Sequence, residues 1–153
     1  MRSAYRILAF VIAAEVIIQA AAIAYAIFGL GTWIQSGGVL DKAAMESETT
    51  AFTGDGGFPL HGINGEMVFP LLVLILLVLS FFAKVPRGVM WAGVAFGLTV
   101  LQIAFALLGQ GLPILGVLHG ANALLIFGVA VMAAMAARGT APVGERTAAA
   151  AAG

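Results

Sequence analysis

The sequence predicts an all-α fold, a polytopic membrane protein whose four-transmembrane-helix bundle is built from two repeated helical hairpins. Three observations predict it. Hydrophobic residues fill 62% of the 153 positions and charged residues only 9%, with a mean hydropathy of +1.10, which lies outside the range of soluble domains. The apolar residues fall into four runs, each long enough for a hydrocarbon layer about 30 Å thick, which takes roughly 20 helical residues. Two stretches of the chain are also written twice, in the same order.

Span one is expected over residues 7–29. It is long, is interrupted by Glu15 and is followed by no small-residue cleavage site, so it reads as a retained helix and not as a secretory signal. Glu15 falls near the middle of the bilayer with Gln19 one turn on, beside a stripe of small residues, Ala22, Ala26 and Gly29. Small faces of this kind let helices approach closely in lipid, and here the stripe predicts a homodimer. An external loop over residues 31–59 follows, with Asp41, Glu46, Glu48 and Asp55 against a single Lys42.

Spans two, three and four are expected over residues 60–83, 89–109 and 117–137, making 1–137 one transmembrane domain. Pro59 suits the first turn of span two. Trp33 and Trp91 read as interface anchors on opposite sides, and Gln102 as an interhelical hydrogen-bonder like Gln19. Residues 138–153, "RGTAPVGERTAAAAAG", carry too little apolar surface to pack and are expected to form a disordered cytoplasmic tail.

Orientation follows from the basic residues, which favour the cytoplasmic ends of spans. Arg2 and Arg6 precede span one, Lys84 and Arg87 separate spans two and three, and Arg138 and Arg146 follow span four. All six fall on one side. Both termini are therefore expected in the cytoplasm, and the chain in the plasma membrane of a bacterium, with lipid as its main partner and no nucleic acid. The absence of cysteine excludes disulfides, thiolate metal sites and covalent c-type haem attachment.

The repeats carry the functional signal. "IAYAIFGLG" (residues 23–31) matches "IAFALLGQG" (residues 103–111) at five of nine positions, and "HGINGEMVF" (residues 61–69) then matches "HGANALLIF" (residues 119–127) in its His, Gly, Asn and final Phe. A duplicated hairpin implies a pseudo-two-fold axis along the membrane normal. The two histidines of the chain, His61 and His119, then sit at one height near the external face, on spans related across that axis. Two neutral imidazoles facing each other form the ligand set of a bis-histidine haem b. Gly62 and Gly120 would give a porphyrin room, as would Gly65 and Ala123. Asn64 and Asn122, one turn on, would hydrogen-bond a propionate, an imidazole network or a backbone group.

Other readings stay open beside this one. A histidine at a helix end often only bonds across an interface, and His-Gly-x-Asn would also serve as a packing device. Zinc or copper would lack ligands with two histidines alone. Glu15 and Glu66 are the two intramembrane carboxyls and would suit a proton-linked role, although five residues of helix turn Glu66 about 140° away from His61. The functions this leaves are a small b-type cytochrome exchanging electrons with a quinone or an external redox partner, a haem carrier or sensor, and a non-haem accessory subunit or small transporter.

A four-helix bundle with a long first external loop and histidines near the external ends of helices two and four resembles one half of a haem A synthase. There, each half is such a bundle and histidine pairs hold haem or present it for oxidation; His61 and His119 match those positions. The chain departs from that family in having no cysteine pair in the loop and Phe58 where the family has a glutamate three residues before the first histidine. The resemblance therefore implies the bundle and haem ligation and not the synthase activity. The Ala/Gly-rich style and "LHGxNA" are also similar to an uncharacterised group of small actinobacterial four-helix membrane proteins.

Overall fold

A computed structural model describes residues 1–47 and 52–138. The described residues are helical without any strand, and four helices are long and apolar enough to cross a membrane: Arg2–Gln35, Gly57–Ser80, Gly88–Gly109 and Leu115–Ala136. The chain is an all-α, multi-pass membrane protein. Its outward surface agrees, since Ile17, Phe28, Leu71, Val100 and Leu124 are exposed on the four helices, where only lipid would solvate them. The tail expected over residues 138–153 lies outside the described residues apart from Arg138, and so does Glu48.

Span one is longer than its apolar run. Its 34 residues reach about 50 Å at 1.5 Å per residue, well beyond the bilayer core, and stop only at Gln35. Gly29 and Gly31 do not end it, because a glycine inside a helix is tolerated where packing holds it. The stop is Gly37, at φ +103°. Gly37 N–H donates to the Ile34 carbonyl at 3.0 Å and Gly38 N–H to the Trp33 carbonyl at 3.0 Å, the reciprocal pair of a Schellman ending. Trp33 thus lies in the helix and stacks on Phe52 of the loop, ring centres 5.7 Å apart. A short helix, Lys42–Glu46, is capped by Asp41, whose carboxylate accepts from Ala44 N–H at 2.7 Å.

The small stripe of span one is used inside the chain. Ala22 and Ala26 are buried, and a Cβ on Gly57 would come 2.3 Å from the Ala22 carbonyl oxygen and 3.0 Å from Ala26 Cβ. A Cβ on Gly29 would come 1.7 Å from the Thr53 carbonyl oxygen. The loop between spans one and two and the start of span two therefore occupy the face from which a homodimer is expected. The close approach that those residues allow is made within the chain.

Spans one and two, two and three, three and four, and four and one pack side by side, which sets spans two and four diagonally across the bundle. Packing is uneven along the axis. At the end that holds Arg2, Lys84 and Arg138, a dense core of Tyr5, Ala9, Ile12, Val73, Leu76, Ala92, Ala95, Ala130 and Ala133 is sealed from solvent. Its alanines bring the backbones together, the usual route to packing in lipid. Two long-range bonds close this end: Tyr5 Oη donates to the Gly88 carbonyl at 2.9 Å and Arg2 to the Lys84 carbonyl at 2.8 Å. The other half of the bundle, where the histidines lie, is more open.

Span two is not a uniform α-helix. Residues Asn64–Val68 form a π-helical turn between Gly57–Ile63 and Phe69–Ser80. Pro70 contributes to this, because it has no N–H for the Glu66 carbonyl and its ring pushes that carbonyl away. The second cause comes from span one and belongs to the site.

Candidate histidine site

His61 and His119 meet across the bundle. Their ring centres are 6.1 Å apart with the planes at 62°, and both residues are half-buried. Each ring is anchored by a neighbouring helix. His61 Nδ1 lies 3.1 Å from the main-chain carbonyl of Gln19, and His119 Nδ1 donates to the main-chain carbonyl of Gln102 at 3.1 Å. A carbonyl can only accept, so at His119 this contact assigns the proton to Nδ1 and leaves Nε2 with its lone pair. At His61 the turned Gln19 amide donates its nitrogen to Nδ1 at 2.8 Å, which needs Nδ1 as an acceptor, whereas the Gln19 main-chain carbonyl needs it as a donor; the two contacts call for opposite tautomers. Among the described residues nothing bonds either Nε2, and neither is a sealed, unpartnered atom.

The glutamines do a second job through their side chains. With its amide turned to satisfy its neighbours, Gln19 donates to the His61 carbonyl at 3.0 Å and accepts from Gly65 N–H at 3.1 Å and from Asn64 Nδ2 at 2.9 Å. In an α-helix the His61 carbonyl and the Gly65 N–H would bond each other. A side chain inserted into that ladder widens the turn, and the π turn begins there. Gln102 accepts from Asn122 Nδ2 at 2.6 Å, and the same nitrogen donates to the Leu98 carbonyl at 2.9 Å.

Asn64 and Asn122 thus bond the adjoining helices and not the imidazoles. Asn122 is buried. Asn64 also donates to the Glu15 carboxylate, a group that the Asn122 side lacks. Glu66 lies on the outer face of span two with no partner among the described residues, so no hydrogen bond joins it to Glu15. The π turn also voids the 3.6-residue period from which its angle to His61 was reckoned.

A cavity of about 250 Å³ adjoins the rings. His61, His119, Gln19, Gln102, Gly65, Gly120 and Ala123 line it, with apolar walls from Ile23, Phe69 and Leu124. Gly62 does not. A Cβ added to Gly120 would meet nothing within 4 Å, so this glycine leaves open space beside His119. Ala20, Gly120 and Leu124 are exposed, and the cavity therefore opens sideways between spans one and four. Among the described residues no group of three His, Asp or Glu side chains could hold a metal ion.

Sequence reasoning found the histidines, the asparagines and the hydrogen-bonding glutamines, but not the pairing of each glutamine with its histidine. Pro70 was the available signal for the π turn. A family of unknown function (DUF6220) matches residues 49–109, which takes in His61, Asn64 and Gln102 but neither Gln19 nor His119. No curated protein and no solved structure matches the chain.

Proposed function

We propose that this protein is a small membrane b-type cytochrome that holds haem between His61 and His119 for electron transfer. The observation that carries the reading is the pair of rings 6.1 Å apart on diagonal spans, each fixed through Nδ1 by a backbone carbonyl. A ligating imidazole nitrogen sits about 2 Å from a first-row metal, so two rings on opposite faces of one iron have centres roughly 6 Å apart. Metal-bound histidines usually donate their other N–H to a carbonyl or carboxylate, which fixes tautomer and ring direction. His119 fits that pattern, and His61 fits it in its Nδ1–H tautomer.

The donor set also favours haem over a bare ion. Two imidazoles leave a tetrahedral zinc site half filled, whereas a porphyrin brings four nitrogens and needs only axial ligands. The open space beside Gly120 and the apolar walls suit a flat macrocycle. When bound, the group supplies a one-electron iron couple. The chain's own residues do the rest: Gln102 keeps the Nε2 lone pair of His119 available, the Gln19 main-chain carbonyl does so for His61 in its Nδ1–H tautomer, and Asn64 and Asn122 lock those glutamines. The dense half of the bundle keeps water from the site on one side. Rings fixed at both Nδ1 atoms favour a resident haem over one handed on by a carrier or read by a sensor.

The two half-sites support a duplicated hairpin, in a register that differs from the sequence match. Gln19 and Gln102 play one role and lie 83 residues apart, whereas the matched stretches at 23–31 and 103–111 lie 80 apart. Three residues are nearly one helical turn. The basic end faces the cytoplasm in this reading, which places both termini there and the haem toward the exterior. A quinone dissolved in the bilayer is the favoured partner, since the cavity opens sideways into lipid; an external redox protein would meet the acidic loop. Haem content of the purified protein tests the proposal: one haem b per chain supports it, and none after expression with ample haem defeats it.

A further inference from the structure

We propose that the groove at the basic end, between span one and the end of span four, binds the phosphate of an anionic phospholipid; this does not depend on the haem. A cavity of about 470 Å³ is lined there by Arg2, Ser3, Arg6, Ile7, Phe10 and Ala137. Two guanidiniums and a hydroxyl form one end, and Ile7 and Phe10 continue it along the helix as an exposed apolar wall. That is the order of a phospholipid, headgroup first and acyl chain after. Arg2 is fixed by its bond to the Lys84 carbonyl at 2.8 Å, and Arg6 rests on the Phe10 ring, 5.8 Å from its centroid. Among the described residues no carboxylate pairs with either arginine. A guanidinium matches phosphate oxygens with a bidentate fork, and basic pockets between transmembrane helices at the membrane surface recognise anionic headgroups. A free phosphate would use the same arginines but gain nothing from Ile7 and Phe10, so the lipid is the occupant.

The test is native mass spectrometry of the full chain in a non-ionic detergent with dioleoyl-phosphatidylglycerol, dioleoyl-phosphatidylcholine or glycerophosphate added. Wild-type protein should retain phosphatidylglycerol in preference to the other two. Arg6→Gln should weaken that retention roughly fivefold, at the usual worth of one basic residue beside an anionic surface. Arg6→Glu should abolish it, while Lys84→Gln with Arg87→Gln, which removes two charges from the same end, should leave most of it. Equal retention of phosphatidylcholine, or equal loss in the Lys84/Arg87 variant, would reduce the groove to a general positive field and overturn the proposal. Glycerophosphate bound as well as the lipid would overturn the lipid assignment. The Arg6 side chain makes no hydrogen bond among the described residues, so its variants should fold; helicity by circular dichroism checks this.

Discussion

Gln19 donates its side-chain nitrogen to the main-chain carbonyl of His61 at 3.0 Å, the carbonyl that an α-helix would have given to Gly65. One side chain of span one thus completes the backbone bonding of span two at the residue that carries the ring. The site and the helix irregularity have the same cause.

Gln19 and Gln102 should therefore differ in cost. Gln19→Leu leaves the His61 carbonyl and the Gly65 N–H without that partner inside a membrane helix, an expense of about 1–3 kcal/mol. Gln102→Leu removes one interhelical bond while Asn122 keeps the Leu98 carbonyl, and such bonds are worth about 0.6 kcal/mol on average. Thermal unfolding in mild detergent should rank Gln19→Leu as the more damaging. Equal losses would mean that the Gln19 amide does not complete the ladder.

What the sequence made legible follows from the range of each signal. Composition and run length give the four spans, with two, three and four within about three residues of those found, because bilayer thickness allows little else. The end of span one is missed by six residues, since Gly29 and Gly31 look like stops and only Gly37 adopts the left-handed conformation that makes one. The histidines and asparagines stand out through the repeated frame. The glutamine partners are harder to pair, because the contact depends on a helix register that Ala- and Leu-rich sequence does not specify. The small stripe shows that something packs closely, but not whether it belongs to the same chain.

Gly120 and Gly62 occupy equivalent places in the two frames yet should respond differently. An added Cβ meets nothing within 4 Å beyond the local helix backbone at either, so the first carbon of a side chain is accommodated at both. Gly120 lines the cavity and Gly62 does not. Gly120→Leu should fill the space beside His119 and lower haem occupancy while the fold survives; Gly62→Leu should change occupancy far less. Equal effects on haem content, measured per chain, would separate the cavity from the haem.

Tyr5 tests the dense half alone. Its buried hydroxyl holds the Gly88 carbonyl at 2.9 Å, so Tyr5→Phe should lower stability by about 1 kcal/mol in thermal unfolding. The haem spectrum should be unchanged, because the His pair lies in the opposite half. A changed spectrum would show that the two halves are not independent.

Topology is open to a direct assay. With the basic residues at the cytoplasmic end, a reporter fused after Gly153 should register the cytoplasm and one inserted at Ser47 the exterior. The reverse pattern would turn the haem toward the inner leaflet and remove the external redox partner.

The central claim is that His61 and His119 are both axial ligands, and the reduced absorption spectrum of wild type beside His61→Ala and His119→Ala tests it most directly. Wild-type protein should show a Soret band with sharp low-spin α and β bands on reduction, and each single variant should lose the low-spin bands. If both variants keep the wild-type spectrum, or if the wild type has none, the histidine pair does not hold a haem.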